Sequence, residues 1–241
     1  MTIGSADHAA RIAAGVGFEW DLLPRAVRSV DEIAADALEV CFRRERNSQR
    51  GLHRHAAIRA LWADGIDDAF LEEIVRMPAL ETLSLGRVTA TDLRPLAALP
   101  RLRRLVVRDA PRIEDLDWTR GLQVESLGLE NLKRVRLLDP LAQLTGLRGL
   151  AVEGSMWTAM QVASLQPLAG LQALEGLFLT NLRVADRSLR PLHDLPRLRE
   201  LQCARWYADG EFAALAAARP NLRCSWFDAE TLTRHSRRRG D

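Results

Sequence analysis

The chain has 241 residues, of which 47% are hydrophobic and 27% charged, enough to bury a large core and unlike a disordered or membrane-spanning chain. No run approaches the roughly 18 unbroken apolar residues that a membrane helix needs. Thirty-four basic and 32 acidic residues leave a formal charge of +2, too balanced to demand nucleic acid or an anionic surface as partner.

The opening stretch, MTIGSADHAARIAAGVG, has neither a basic start nor a sustained apolar run, which speaks against a secretory signal. Within it Gly15-Val16-Gly17 lacks the rest of a dinucleotide-binding loop. Cys41, Cys203 and Cys224 form neither a disulfide framework nor a paired zinc motif and suit a reducing cytoplasm. Lys133 is the only lysine, an arginine bias that reads as bacterial codon usage. Segment 31–46, DEIAADALEVCFRRER, places Ile33, Ala34, Leu38, Cys41 and Phe42 on one helical face. Its first turn is acidic and its last basic, so it predicts a helix over 31–46, and residues 1–56 read as an N-terminal helical cap. Arg43, Arg44, Arg46, Arg50 and Arg54 follow with Phe42 as the nearest aromatic, a solvated stretch rather than a nucleic-acid patch. His53 and His55 have no third ligand nearby, so no metal is expected.

From residue 57 onward the chain repeats. LETLSL, LRRLVV, VESLGL, LRGLAV, LEGLFL and LRELQC share LxxLxL, with weaker copies at 58–63 and 222–227. Their central positions, 61, 83, 105, 127, 150, 177, 201 and 225, are spaced by 22 to 27 residues. DLRPLAAL, LLDPLAQL, SLQPLAGL and SLRPLHDL share LxPLxxL; one repeat lacks the pair and has Trp118-Thr119 near its place. LxxLxL alternates, so its second and third leucines point to one face of a short strand. LxPLxxL spaces its apolar residues by three, which suits one helical or 3₁₀ turn opened by proline. In the first repeat, Ile66, Phe70, Ile74 and Val75 predict a true α-helix instead. No such unit buries its leucines alone, whereas a stack of eight buries them in one column.

The chain resembles the leucine-rich-repeat family, and its short internalin-like subclass in particular, over residues 57–228. The resemblance implies an α/β solenoid: a curved, right-handed superhelix with a parallel concave sheet, short convex 3₁₀ turns and the N-terminal cap. One column departs from the family. Where a repeat usually carries asparagine, this chain has Val88, Ala110, Leu132, Ser155, Leu182 and Trp206, with Asn131 and Asn181 one residue early. Less regular turns are expected there. Residues 229–241, ending RHSRRRGD, read as a disordered basic tail.

Function is sought on the outward strand positions. Ser126, Gly128, Gly149, Ala151 and Gly176 make a floor of small residues, flanked by Arg104 and Arg108, edged by Glu130 and Glu153, and walled by Phe178. Trp62, Glu200, Gln202 and Trp226 extend the same face. The longest repeat adds GSMWTAMQVAS, whose Trp157 is either a second contact or a lid on the column. Cys203 reads as a core hydrophobe, Cys224 as an outward thiol, and His193 as exposed on a convex turn. GxSxG, GxxxxGK[ST], HExxH and CxxC do not occur. The expectation is a non-enzymatic, monomeric, cytoplasmic module without cofactor that binds a protein or peptide, with acidic residues that suit a basic partner. A bacterial adaptor and an immunity-type inhibitor are its finer forms. The alternatives are an effector or enzyme-associated targeting protein with its activity in the N-terminal segment, and arginine-mediated nucleic-acid binding.

Overall fold

The computed structural model describes residues 5–227, so the tail at 229–241 lies outside the described residues. A helix α1 (Ser5–Ala13) precedes an eight-stranded sheet built from β1 (Glu39–Arg43), β2 (Ala60–Asp64), β3 (Thr82–Gly86), β4 (Arg104–Arg108), β5 (Ser126–Glu130), β6 (Gly149–Glu153), β8 (Gly176–Leu179) and β10 (Glu200–Cys203). The strands are parallel and follow one another in chain order. A separate two-stranded ribbon pairs β7 (Met160–Val162) with β9 (Leu182–Val184).

The register is that of the repeat. Leu61, Leu83, Leu105, Leu127, Leu150, Leu177 and Leu201 are successive cross-strand neighbours, and all are buried. Each strand is followed by a bend and a short turn on the opposite side. The Pro-Leu pairs open 3₁₀ turns at Arg94–Ala98, Asp139–Gln143, Gln166–Gly170 and Arg190–Leu192, and Asp117–Thr119 takes the place of the missing pair. Proline suits these positions because a first-turn N–H has no intrahelical acceptor. The first repeat has a true helix, α2 (Asp68–Ile74), whose N-cap Asp67 accepts from the Phe70 N–H at 2.9 Å. The last coil adds α3 (Asp209–Ala218). Leucines from strands and turns merge into one continuous core.

Three expectations change. Segment 31–46 is not a helix: residues 30–32 form a 3₁₀ turn and Glu39–Arg43 is the edge strand β1. Phe42 fits both periods, with Leu38 on a helix stripe and with Val40 on a strand face, but Val40 and Phe42 are buried while Glu39 and Arg43 are exposed, the alternation of a strand. Pairing with β2 also covers an edge that would otherwise expose unpaired amides. Val27 in turn bridges β1: its N–H donates to the Cys41 carbonyl, and it accepts from the Arg43 N–H, both at 2.9 Å. The solenoid therefore takes in one more coil at its start, and Leu52, expected outside the repeats, is fully buried in the common core.

At the other end the eighth copy is not a strand. Arg223 makes one bridge to Glu200, and Ser225–Phe227 turns into a 3₁₀ segment whose Trp226 lies against the Phe212 ring of α3. The third finding concerns the turns, which share one backbone shape after five of the eight strands and depart from it after β1, β6 and β10. Gly65, Arg87, Asp109, Asn131 and Asn181 each follow a strand with φ between 49° and 80°. Asparagine adopts this left-handed conformation readily, which explains its place one residue early. The neighbouring amides are satisfied by the next coil: Asp109 N–H donates to the Glu130 carbonyl at 3.0 Å, and Asn131 N–H to that of Glu153 at 2.9 Å.

Candidate functional site

The leucines turn into the core, so the alternate residues of each strand form an outer face of the sheet. That face is occupied by the chain's own N-terminal arm, residues 5–20. α1 lies over the last strands, and the chain then turns at Gly15 and runs back toward β2. Gly15 has φ 73°, and the N–H groups of Val16 and Gly17 both donate to the Arg11 carbonyl at 3.0 Å. This is a glycine-terminated helix end, where the missing Cβ permits the left-handed turn. The glycines that hinted at a nucleotide loop close a helix instead.

The small-residue floor receives this turn. Ser126 Oγ donates to the Ala14 carbonyl at 2.9 Å, and a Cβ on Gly149 would collide with that same carbonyl. Arg104 donates to the carbonyls of Gly15 and Gly17, each at 3.3 Å, and its guanidinium lies 5.3 Å from the Phe18 ring centre. Burial pulls the Arg104 guanidinium below its ordinary value. Val16 packs on Ala151 and Phe178, with Ala10 and Ala14 alongside, in an apolar cluster separate from the leucine core.

The strongest contact is ionic. Arg11 forms a bidentate pair with Glu153, its Nη1 donating to Oε1 at 2.6 Å, and lies 5.2 Å from the centre of the Phe178 ring. Glu153 is 6% exposed and Phe178 not at all. Burial lowers the Arg11 pKa, but the Glu153 hydrogen bonds and charge, helped by Glu130, outweigh it and hold the guanidinium above its ordinary value. Burial pushes the Glu130 carboxyl up; Arg108 opposes this and Glu153 adds to it. The acidic edge thus holds an arginine of its own chain.

At the β2 end, Phe18 meets Trp62 edge-to-face at 5.7 Å, and Trp20 lies over Arg108 at 4.9 Å. Gln202 donates to the Asp7 carbonyl at 3.1 Å. Trp62, Arg104, Arg108, Glu130, Glu153, Phe178 and Gln202 are therefore brought together around the arm. The other three are placed elsewhere. Glu200 pairs with Arg223 at 2.9 Å, and Trp226 donates to the Cys203 carbonyl at 2.7 Å at the end of the stack. Trp157 tops a turn and is 89% exposed, with Met156 81% exposed, so it is no lid on the column.

The residues missed were Arg11, Phe18 and Trp20. The only local signal was an Ala-rich helix ending in glycine; its partners Ser126, Glu153 and Gln202 lie more than 100 residues away, and Trp62 and Arg108, which Phe18 and Trp20 meet, lie in other coils.

The remaining chemistry-bearing residues sort into packing and ion pairs. His53 contacts Glu73 of α2, and this pairing holds the Glu73 carboxyl below its ordinary value against the opposing effect of burial. His193 is half-buried rather than exposed, and Cys203 and Cys224 both pack partly against the core. Among the described residues no cluster could hold a metal ion, and no helix is long and apolar enough to cross a membrane.

No family model matches the chain, and no curated protein matches it. Solved structures similar to it include internalin C2 of Listeria monocytogenes, 24% identical over 63% of this chain and 72% of that one, with a TM-score of 0.41. An internalin (inlF) of the same organism is 16% identical over 76% and 70%, with a TM-score of 0.40. Human 5T4, trophoblast glycoprotein, is 19% identical over 78% and 84%, with a TM-score of 0.46. The in-phase register of β2 to β10 and the Pro-Leu turns identify a leucine-rich-repeat solenoid in this chain's own terms.

Proposed function

We propose that this leucine-rich-repeat chain is a non-enzymatic, monomeric interaction module that binds a protein or peptide on the outer face of its sheet. One observation carries the reading: the face already binds a polypeptide. Side chains from three strands donate to four carbonyls of the arm (Asp7, Ala14, Gly15 and Gly17), and Glu153 of a fourth clamps one arginine. Such side chains are held in place by the leucine column, so little ordering is needed when a partner docks. The arm and a partner would then exclude one another. The arginine bias supports a bacterial source and the three free thiols a cytoplasmic setting, in which an adaptor or an immunity-type inhibitor is the finer form of the role. The second reading places the contact on Trp157, favoured by its exposure on an insertion, since insertions in repeats map to one face and often the binding one.

The test is capture of a partner from the native cell, with and without nuclease, followed by rebinding of the purified partner. Arg108→Glu and Gly149→Trp should each reduce binding about thirtyfold or more, the scale of interface hot spots. Trp157→Ala should leave it unchanged. Loss only in Trp157→Ala would transfer the site to the insertion, and recovery that depends on nucleic acid would overturn the reading.

A further inference from the structure

Several residues of the arm touch the face, but one contact has the form of a pocket for a specific side chain. The guanidinium of Arg11 is paired in two places with Glu153, lies over Phe178 and sits within electrostatic reach of Glu130. A planar, forked cation that stacks on a ring and bonds a carboxylate through two N–H groups describes arginine and does not describe lysine. Arg108 faces Glu130 across the strands, which leaves Glu153 as the carboxylate that the arm's guanidinium neutralises, and Glu153 calls for a cation.

The arm is also built to leave. Its apolar contacts form their own small cluster, so the leucine core closes without it. No strand of the sheet pairs with it; its backbone is held by side chains alone. α1 has nine residues, too few for a stable helix in isolation. Beneath and beside residues 17–20, Trp62 Nε1, Ser84 Oγ and Arg108 Nε are buried without a hydrogen-bond partner among the described residues. A buried donor left without an acceptor costs free energy. An occupant with acceptors at these three places would bind this end of the face better than the arm does.

We propose that Glu130, Glu153 and Phe178 form an arginine-recognition subsite, that Arg11 is its internal ligand, and that the partner presents an arginine-bearing segment with small residues after the arginine, which displaces residues 5–20. This rests on the reading of the face as a binding surface. It adds what that surface reads: the arginine enters the clamp, and small residues cross Gly149 and Gly176, where a Cβ on either glycine would meet the arm. The lone arm arginine thereby acts as an occupancy gate, since the clamp holds one guanidinium at a time.

A labelled synthetic peptide with the sequence of residues 5–20 is the probe, and its twin carries neutral citrulline in place of the arginine. Fluorescence anisotropy follows both against the full chain and against full-chain Arg11→Ala. The arginine peptide should bind Arg11→Ala at least tenfold more tightly than it binds the parent, because the internal ligand is gone. The citrulline peptide should bind that variant at least tenfold more weakly than the arginine peptide, and Glu153→Gln added to Arg11→Ala should erase the difference. Arg11→Glu, which Glu153 repels, serves as a second opened chain if Arg11→Ala melts early. Equal binding of the two peptides, equal binding to parent and opened chains, or no binding to either opened chain overturns the proposal. If the peptides fail while Gly149→Trp still abolishes capture of a native partner, the arginine subsite is wrong and the face remains the binding surface.

Discussion

The leucine column and the arm are both packed structure, and they are held by opposite means. In the column, Leu127 has Leu105 and Leu150 as cross-strand neighbours, all three are fully buried, and nothing polar competes for the place. In the arm, a two-sided ion pair, four hydrogen bonds to carbonyls and a cluster of Val16 with small neighbours do the holding. Burial of leucine is non-directional and removes a unit only by unfolding it. Ionic and hydrogen-bonding contacts can be exchanged for water or for another chain's groups with little net loss. The difference separates a scaffold from a removable occupant.

The comparison breaks first at the column. Leu127→Ala should cost about 2–5 kcal/mol in denaturant unfolding, the range for buried leucines. Leu52→Ala should fall in the same range, because the first coil belongs to the same core; a negligible loss there would detach that coil from the solenoid. Glu153→Ala comes next. It removes the carboxylate from Arg11, yet the arm can swing out and return the guanidinium to water. The loss should therefore be about 1–3 kcal/mol, the scale of hydrogen bonds to charged groups. A loss as large as that of Leu127→Ala would make the arm an integral layer of the core.

A smaller effect follows pH. Burial raises the Glu130 carboxyl above its ordinary value; Arg108 and Arg11 oppose this, and Glu153 and Asp109 reinforce it. The folded value exceeds the unfolded one, so ionised Glu130 disfavours the folded state at neutral pH. That penalty is removed as pH falls through the raised folded value toward the ordinary carboxylate range. Glu130→Gln should flatten this part of the stability profile, and an unchanged profile would place Glu130 in open solvent. Smallest of all, Trp157→Ala should shift stability by no more than about 0.5 kcal/mol, because an exposed tip supports nothing; a larger loss would show that the ring covers the column.

The sequence was legible where the physics is periodic. Leu83, Leu105 and Leu127 recur in phase, and each recurrence fixes a strand, its inward face and the outward partners of Arg104, Glu130 and Glu153. It was misleading where two periods coincide. Phe42 suits a helix stripe with Leu38 as well as an alternating strand with Val40, and only the open edge of β2 decides between them. It was silent about the occupant of the face. Gly149 and Gly176 mark the floor of a groove, but that Arg11 and Ala14 fill it depends on a match across more than 100 residues that no local pattern records. The groove, its charged rim and its preference for a cation were readable in the residues; the source of the cation was not.

The most direct measurement is the initial rate of trypsin cleavage at two arginines of the same segment. Arg11 is clamped on the sheet face, whereas Arg25 lies exposed on the chain that leads from the arm to β1. If the arm occupies the face, the parent chain is cut after Arg25 well before Arg11, and Glu153→Gln brings the Arg11 rate up toward that of Arg25. Equal rates at both arginines in the parent, with no change in Glu153→Gln, would mean that the face is open and the arm does not hold it.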